Sequence, residues 1–183
     1  METAGLRGDR VRLVPSEAGP HLENALRWFN DPELTSFLDI FWGVTRGQEE
    51  AFFQRVATQR DTDLHWAILN ENDRHIGFIG LHQVDWRMRS AAGGLLIGER
   101  TVWGQGYASD AVRTRTRFAF EQLGLHRISG HTLNPAMRRV YEKCGYRHEG
   151  TARQKLWRGG RWHDAALYAI LEDDYWTPAT PGA

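Results

Sequence analysis

Trp103-Gly104-Gln105-Gly106-Tyr107-Ala108 stands where a strand-like run gives way to the clearest helical pattern in the chain. Val112, Thr116, Ala119, Phe120 and Leu123 recur near one face of a helix expected over Ala108–Leu123, which Gly124 ends. Upstream, Ser90–Gly98 reads as a strand. The two glycines let the backbone approach a ligand closely. The first N–H groups of a helix have no internal partners, and with the helix dipole they form a site for an anion such as pyrophosphate. Taken alone, the pattern also fits a plain strand-to-helix turn. It lacks the G-x-x-x-x-G-K-S/T spacing of a P-loop, and the third glycine and downstream acid of a dinucleotide fingerprint.

The neighbouring segments alternate in type. Arg10–Pro15 alternates as a first strand, and Ser16 is a candidate cap for a helix over His21–Phe29. Asn30-Asp31-Pro32 breaks that helix. Thr45 and Gln48 form a capping-box pattern before a helix over Arg46–Arg60, with Ala51, Phe52 and Val56 inward. His65–Leu69, His75–Val84 and Arg127–Thr132 read as strands. Pro135–Cys144 reads as a short helix capped by Asn134, and Tyr146–Arg158 and Arg161–Leu171 as a hairpin turning at Gly159-Gly160. The expectation is one α/β domain over residues 1–176, a mixed sheet of about seven strands with about four helices. Residues 177–183 are expected to be a disordered tail.

Composition bounds the function. The chain has 183 residues, 41% apolar and 25% charged, which suits a globular domain with a full core. Its 23 Lys+Arg equal its 23 Asp+Glu, which argues against a general nucleic-acid binder. A single cysteine, Cys144, excludes an internal disulfide and fits a reducing, cytoplasmic setting. No signal peptide or membrane span is expected, since no apolar run approaches the required length. His126, His131, His148 and His163 have no metal-ligand spacing, so no metal is expected.

A second motif adds to the loop: Asn134-Pro135-Ala136-Met137-Arg138-Arg139-Val140-Tyr141-Glu142-Lys143-Cys144-Gly145-Tyr146. Here the chain resembles the GNAT superfamily of acyl-CoA N-acyltransferases. That family's Asn-x-x-Ser-x-x-x-Tyr-Glu-Lys-x-Gly-Phe is matched at Asn134, Tyr141, Glu142, Lys143 and Gly145, and its phosphate loop at Gly104 through Ala108. Trp28-Phe29-Asn30-Asp31-Pro32-Glu33 and the stretch from Glu149-Gly150 to Ile170-Leu171 are similar to the branch of ribosomal-protein N-terminal and spermidine acetyltransferases. Trp103 replaces the superfamily's usual Gln or Arg, as is common in that branch, and Met137 replaces a serine tied to cofactor contact.

The resemblance implies a GNAT-like fold and acetyl-CoA as co-substrate. Backbone groups of Leu95, Leu96 and Ile97 would pair with pantetheine, and the N–H groups of Gln105, Gly106, Tyr107 and Ala108 would hold pyrophosphate. Asn134 would contact pantetheine, while Arg139 and Lys143 would reach the phosphates. An amine attacks the thioester directly, and Tyr141 is the implied general acid for the CoA thiolate. The amine must also lose a proton. Glu99 is the first choice of base, with His82 and Asp85 as alternatives. The expected acceptor is a small amine or a protein N-terminus, bound by Phe37, Phe41, Trp42 and Trp86 near the Asp85–Arg89 loop and the hairpin tip. The exposed-type apolar residues there also suggest a homodimer. A non-catalytic acyl-CoA sensor is the alternative reading. A nucleic-acid module is disfavoured, because no aromatic platform lies between basic residues.

The neutral total conceals a division. Residues 100–161 hold 13 Lys+Arg against 4 Asp+Glu, residues 1–99 hold 10 against 15, and residues 162–183 hold 4 acids and no Lys or Arg. The basic block carries both cofactor motifs, and the acidic block most of the expected acceptor site. That division would steer a polyphosphate and a cationic amine to different halves.

Overall fold

A computed structural model of the chain describes residues 6–40, 42–58 and 61–176. The expected tail at 177–183 and Phe41 lie outside the described residues. Strands β1 (Leu6–Arg7), β2 (Arg12–Pro15), β3 (Leu64–Leu69), β4 (His75–Asp85), β5 (Ser90–Ile97), β6 (Arg127–Thr132), β7 (Arg147–Arg158) and β8 (Arg161–Leu171) form one sheet. Their order is β1-β2-β3-β4-β5-β6-β8-β7. Only the β5–β6 pair is parallel, so the sheet is mixed as expected. It has eight strands where about seven were expected, because the two-residue β1 is too short to leave a periodic signal.

Six helices are described: α1 (Ala18–Phe29), α2 (Pro32–Thr35), α3 (Arg46–Thr58), α4 (Tyr107–Glu121), α5 (Pro135–Lys143) and α6 (Glu172–Trp176). The two beyond the expected four are single turns. α2 starts at the break-signal proline, where Asp31 accepts from the N–H groups of Glu33 and Leu34. The Thr45–Gln48 capping box forms as read: Thr45 N–H donates to Gln48 Oε1 at 2.9 Å and Gln48 N–H to Thr45 Oγ1 at 3.3 Å. The inward residues of α3 are Phe53 and Val56, whereas Ala51 is exposed and Phe52 only partly buried. Glu17, not Ser16, occupies the cap of α1.

Side-chain alternation along the strands sorts the core into two layers. Leu13, Trp66, Ile68, Ile79 and Ile128 pack with α4 and with Tyr141 of α5. Val14, Ala67, Phe78 and Leu96 pack with Leu22, Ala25 and Trp28 of α1 and Phe53 of α3. The α4–α5 layer and the α1–α3 layer therefore cover opposite faces of the sheet. No described helix is long and apolar enough to cross a membrane.

Candidate active site

The site begins at a fork in the sheet. Parallel pairing of β5 with β6 covers only Ser90–Ala92 against Arg127–Ser129. Beyond it β5 stays paired with β4 as far as Ile97, and β6 stays paired with β8 as far as Thr132. The two strands thus diverge, and the facing backbone edges of Gly93–Leu96 and Gly130–Thr132 lose their mutual partners. A cleft of about 1300 Å³ opens there.

Leu95, Leu96, Ile97, Gly106, Tyr107, Ala108, Asn134, Arg139, Tyr141 and Lys143 all line this cleft. The topology therefore gathers nearly every residue expected to hold the cofactor. Gln105 does not line it: its N–H donates to the Val102 carbonyl at 3.4 Å and its side chain to the Thr101 carbonyl at 2.8 Å. The Ile97 carbonyl is also engaged, by the Trp103 indole at 2.9 Å.

The phosphate-loop geometry comes from Gly104 and Gly106, whose φ values of 75° and 91° are left-handed. Gly106 caps α4, so the N–H groups of the following turn point into the cleft end without helical acceptors. The Tyr107 hydroxyl donates to the Glu71 carboxylate at 2.7 Å. Buried Asp110 binds the backbone N–H groups of Arg10 at 2.8 Å and Val11 at 3.0 Å, tying the helix start to the first strands. Asn134 caps α5 by accepting from the Ala136 N–H at 2.9 Å. Arg139 and Lys143 are exposed along α5.

Tyr141 is 3% exposed and reaches the fork from the α5 side. Its ring stacks on Tyr168 at 5.1 Å and tilts against Tyr146 at 5.0 Å. Burial pushes its hydroxyl up to about 12, against the opposing pull of the Arg115 charge. It stays a neutral donor across the whole neutral range. Arg115 itself is 1% exposed beneath the sheet. It donates to the Gly80 carbonyl at 3.2 Å, the Gly94 carbonyl at 3.4 Å and the Tyr146 hydroxyl at 2.9 Å. Sequence spacing separates Arg115 from Arg113 and Arg117 by helix face but does not reveal that it is buried.

Glu99 is not brought to the cleft. Its carboxylate is held by the Thr101 hydroxyl at 2.9 Å and by Arg74. Burial raises its pKa, but the Thr101 hydrogen bonds and the Arg74 charge outweigh that and hold it below the usual range. A carboxylate so engaged is a poor base, which corrects the first-choice assignment.

His82, the alternative, does line the cleft. Its Nδ1 lies 3.2 Å from Asp63 Oδ1, and its ring meets His65 edge-on at 4.6 Å. Asp63, His65 and His82 are the group of potential metal-binding side chains among the described residues, with one ligand atom from each within 4.8 Å of the others. The sequence reading missed it because β3–β4 pairing, not chain spacing, assembles it. The hydrogen bond between His82 Nδ1 and the Asp63 carboxylate gives the pair the geometry to hold a proton.

The expected acceptor residues do not gather at one site. Phe37 lines the cleft, but Trp42 and Trp86 line neither it nor the adjoining cavity, and both are exposed. Trp86 sits on the β4–β5 turn, where its indole donates to the Asp61 carbonyl at 2.6 Å. The 33–40 segment meets the hairpin through Arg158, which donates to the Thr35 carbonyl at 2.9 Å, and meets β6 through His131, 3.3 Å from Asp39. A second cavity of about 400 Å³ opens on the α1–α3 face, walled by Phe29, Phe52, Phe53 and Phe78. Cys144 is half-buried, its thiol pushed up by burial and donating to the Ser109 carbonyl at 3.3 Å. That does not suit a covalent nucleophile.

Comparison with known proteins bears on the family and the fold. The acetyltransferase (GNAT) domain family matches residues 10–147. The uncharacterized N-acetyltransferase YoaA of Bacillus subtilis is 31% identical over 150 residues, 79% of this chain and 84% of that protein. The uncharacterized N-acetyltransferase p20 of Bacillus licheniformis is 27% identical over 96% of this chain and 99% of its own length. Among solved structures, spermidine N-acetyltransferase from Vibrio cholerae in complex with CoA and spermine superposes with a TM-score of 0.84 at 22% identity. That superposition covers 91% of this chain and 98% of the other, and at this identity it bears on the fold.

Proposed function

The chain belongs to the GNAT acetyltransferase family, and from that premise we propose that it moves an acetyl group from acetyl-CoA to a primary amine by direct attack within a ternary complex. The observation that carries the reading is the forked β5–β6 edge, with a left-handed glycine loop at one end and the Tyr141 hydroxyl in the fork. The unpaired edge of β5 suits the amides of pantetheine. The N–H groups from Gly106 to Ala108 suit pyrophosphate, flanked by Arg139 and Lys143. In this reading Tyr141 donates to the sulfur as the C–S bond breaks. Its neutral, buried hydroxyl supplies a hydrogen bond that strengthens as charge builds on the leaving thiolate.

Acceptors such as the polyamine of the Vibrio cholerae enzyme support an amine substrate at the family level. The exposed Phe37, Trp157 and Trp162 rings support a homodimer, which sedimentation reads directly.

The test is thermal unfolding with acetyl-CoA, followed by an amine panel read as free thiol. Ligand at about 100 times its Kd adds roughly 2.7 kcal/mol, a rise on the order of 5–10 °C for a domain of this size. No rise at any concentration sinks the proposal. A rise without thiol release from any amine would favour the sensor.

A further inference from the structure

We infer that the 400 Å³ cavity on the α1–α3 face is the acceptor pocket, that it takes a primary amine on an apolar, aromatic-sized body, and that His82 removes the amine's proton with Asp63 positioning it. The inference rests on the acetyl-transfer reading above.

The cavity and the cofactor cleft share a wall made of Leu38, His82, Gly94, Leu95 and Leu96. A ligand body in the cavity therefore delivers its end group to the part of β5 where the thioester would lie. The size and the phenylalanine walls suit a ring or short alkyl chain. A polycation would need several carboxylates, and the cavity offers Glu49 and the rim residue Asp39. Asp39 already faces His131. Glu49 is 7% exposed, and its Oε2 has no hydrogen-bond partner. Burial raises its pKa. An apolar-walled carboxyl of this kind accepts from one donor on the body of the bound amine.

His82 is aimed by the backbone. Regular β4–β5 pairing ends at His82–Ala92, and Gln83 takes a left-handed φ of 51° in the irregularity that follows. The imidazole lies over Gly80 and Gly94: a β-carbon on Gly94 would stand 2.7 Å from Nε2, and one on Gly80 3.1 Å. The small residues of β5 thus leave Nε2 at the strand surface. With the Nδ1 proton donated to Asp63, Nε2 carries the lone pair. The charged and titratable groups facing His82 are Asp63 just before β3, His65 of β3 and Arg115 of α4.

His82 Nε2 takes one proton from the ammonium, and the freed nitrogen pair forms the N–C bond at the thioester carbonyl. Collapse of the tetrahedral intermediate breaks the C–S bond, with its electron pair leaving on sulfur. The second nitrogen proton ends on that sulfur by way of the Tyr141 side, and the proton on His82 passes to solvent.

The test combines acceptor choice with pH profiles. Phenylalkyl and alkyl primary amines should exceed spermine and a peptide N-terminus in kcat/KM by at least about tenfold. His82→Gln should lower kcat by roughly 10²–10⁴ at pH 7. Its rate should climb with pH toward the free-amine range, while the parent enzyme is flat above its acid limb. Asp63→Asn should lower kcat and move that acid limb down, and Glu49→Gln should raise KM for amines bearing a second donor. Acetyl-CoA affinity should hold in all three variants. If acetyl-CoA fails to bind the parent enzyme, the acetyl-transfer reading has failed. If it binds but spermine or the peptide is preferred, if His82→Gln keeps its rate and profile, or if turnover is lost to a chelator and restored by Zn²⁺, this inference is overturned.

Discussion

Tyr141 lies so close over Gly130 that a β-carbon at position 130 would collide with the tyrosine hydroxyl oxygen. Gly130 is the β6 residue just past the last β5–β6 pair, so this contact sets the hydroxyl at the mouth of the fork. His82 reaches the same fork from the other face, over Gly94. The fork is thus flanked by a neutral donor on one side and a neutral acceptor on the other.

Gly130→Ala should displace Tyr141 while leaving the Gly104–Gly106 loop intact. Turnover is expected to fall at least about tenfold, matching Tyr141→Phe, because the same proton donation is lost. Acetyl-CoA titration should give nearly the parent affinity for both variants. A Gly130→Ala enzyme with full kcat would remove Tyr141 from the acid role.

Arg115→Met should destabilise the whole domain. The change strips a partner from the Gly80 and Gly94 carbonyls and leaves the Tyr146 hydroxyl with Thr116 alone, in a buried layer. A loss of about 2–4 kcal/mol is expected. That corresponds to roughly 5–15 °C in Tm for a chain of this length. A variant that melts with the parent would show these oxygens to be satisfied otherwise.

Acid should weaken the fold before it reaches the carboxylate range. Burial lowers His75 to about 3 and His65 to about 4 from an unfolded value of 6.5. The unfolded chain therefore binds protons that the folded one refuses. Stability is full above pH 6.5 and drains as pH falls toward 4. Glu49, raised by burial, works in the opposite direction and offsets part of the loss. Tm measured from pH 7.5 to 4.5 should fall, and His65→Gln should flatten the slope. An unchanging Tm across that range would contradict the buried neutral histidines.

Acetyl-CoA binding should weaken with salt. The basic block spans residues 100–161, and Lys143 and Arg139 are exposed on the cleft wall. Screening sets in within roughly 10 Å at 0.1 M salt. Kd should therefore rise between 50 and 500 mM NaCl, on the order of several-fold. Lys143→Ala should shallow that dependence. A salt-insensitive Kd would end the steering argument.

Much of this was legible in the chain. The loop, the α4 stripe and the Asn134 cap are local: each depends on glycine freedom, helical period or a neighbouring N–H, and all of these are written within a few residues. Most residues expected on the cofactor side line one cleft for that reason. Glu99 and Trp86 misled because their partners, Arg74 and Asp61, lie 25 residues away in sequence. Trp42 was misread because exposure cannot be inferred from residue type alone.

Sequence alone determined the element types, the family motifs and the charge division, since these rest on short-range periodicity and composition. The tertiary structure alone decided where β5 and β6 part, which histidine faces the fork, and that Arg115 is buried under two glycines. Those outcomes follow from strand register, and register is set by how two distant segments share a buried face. Asp63, His65 and His82 become neighbours only because β3 folds back on β4, and Glu49 joins their cavity only because α3 packs on that face.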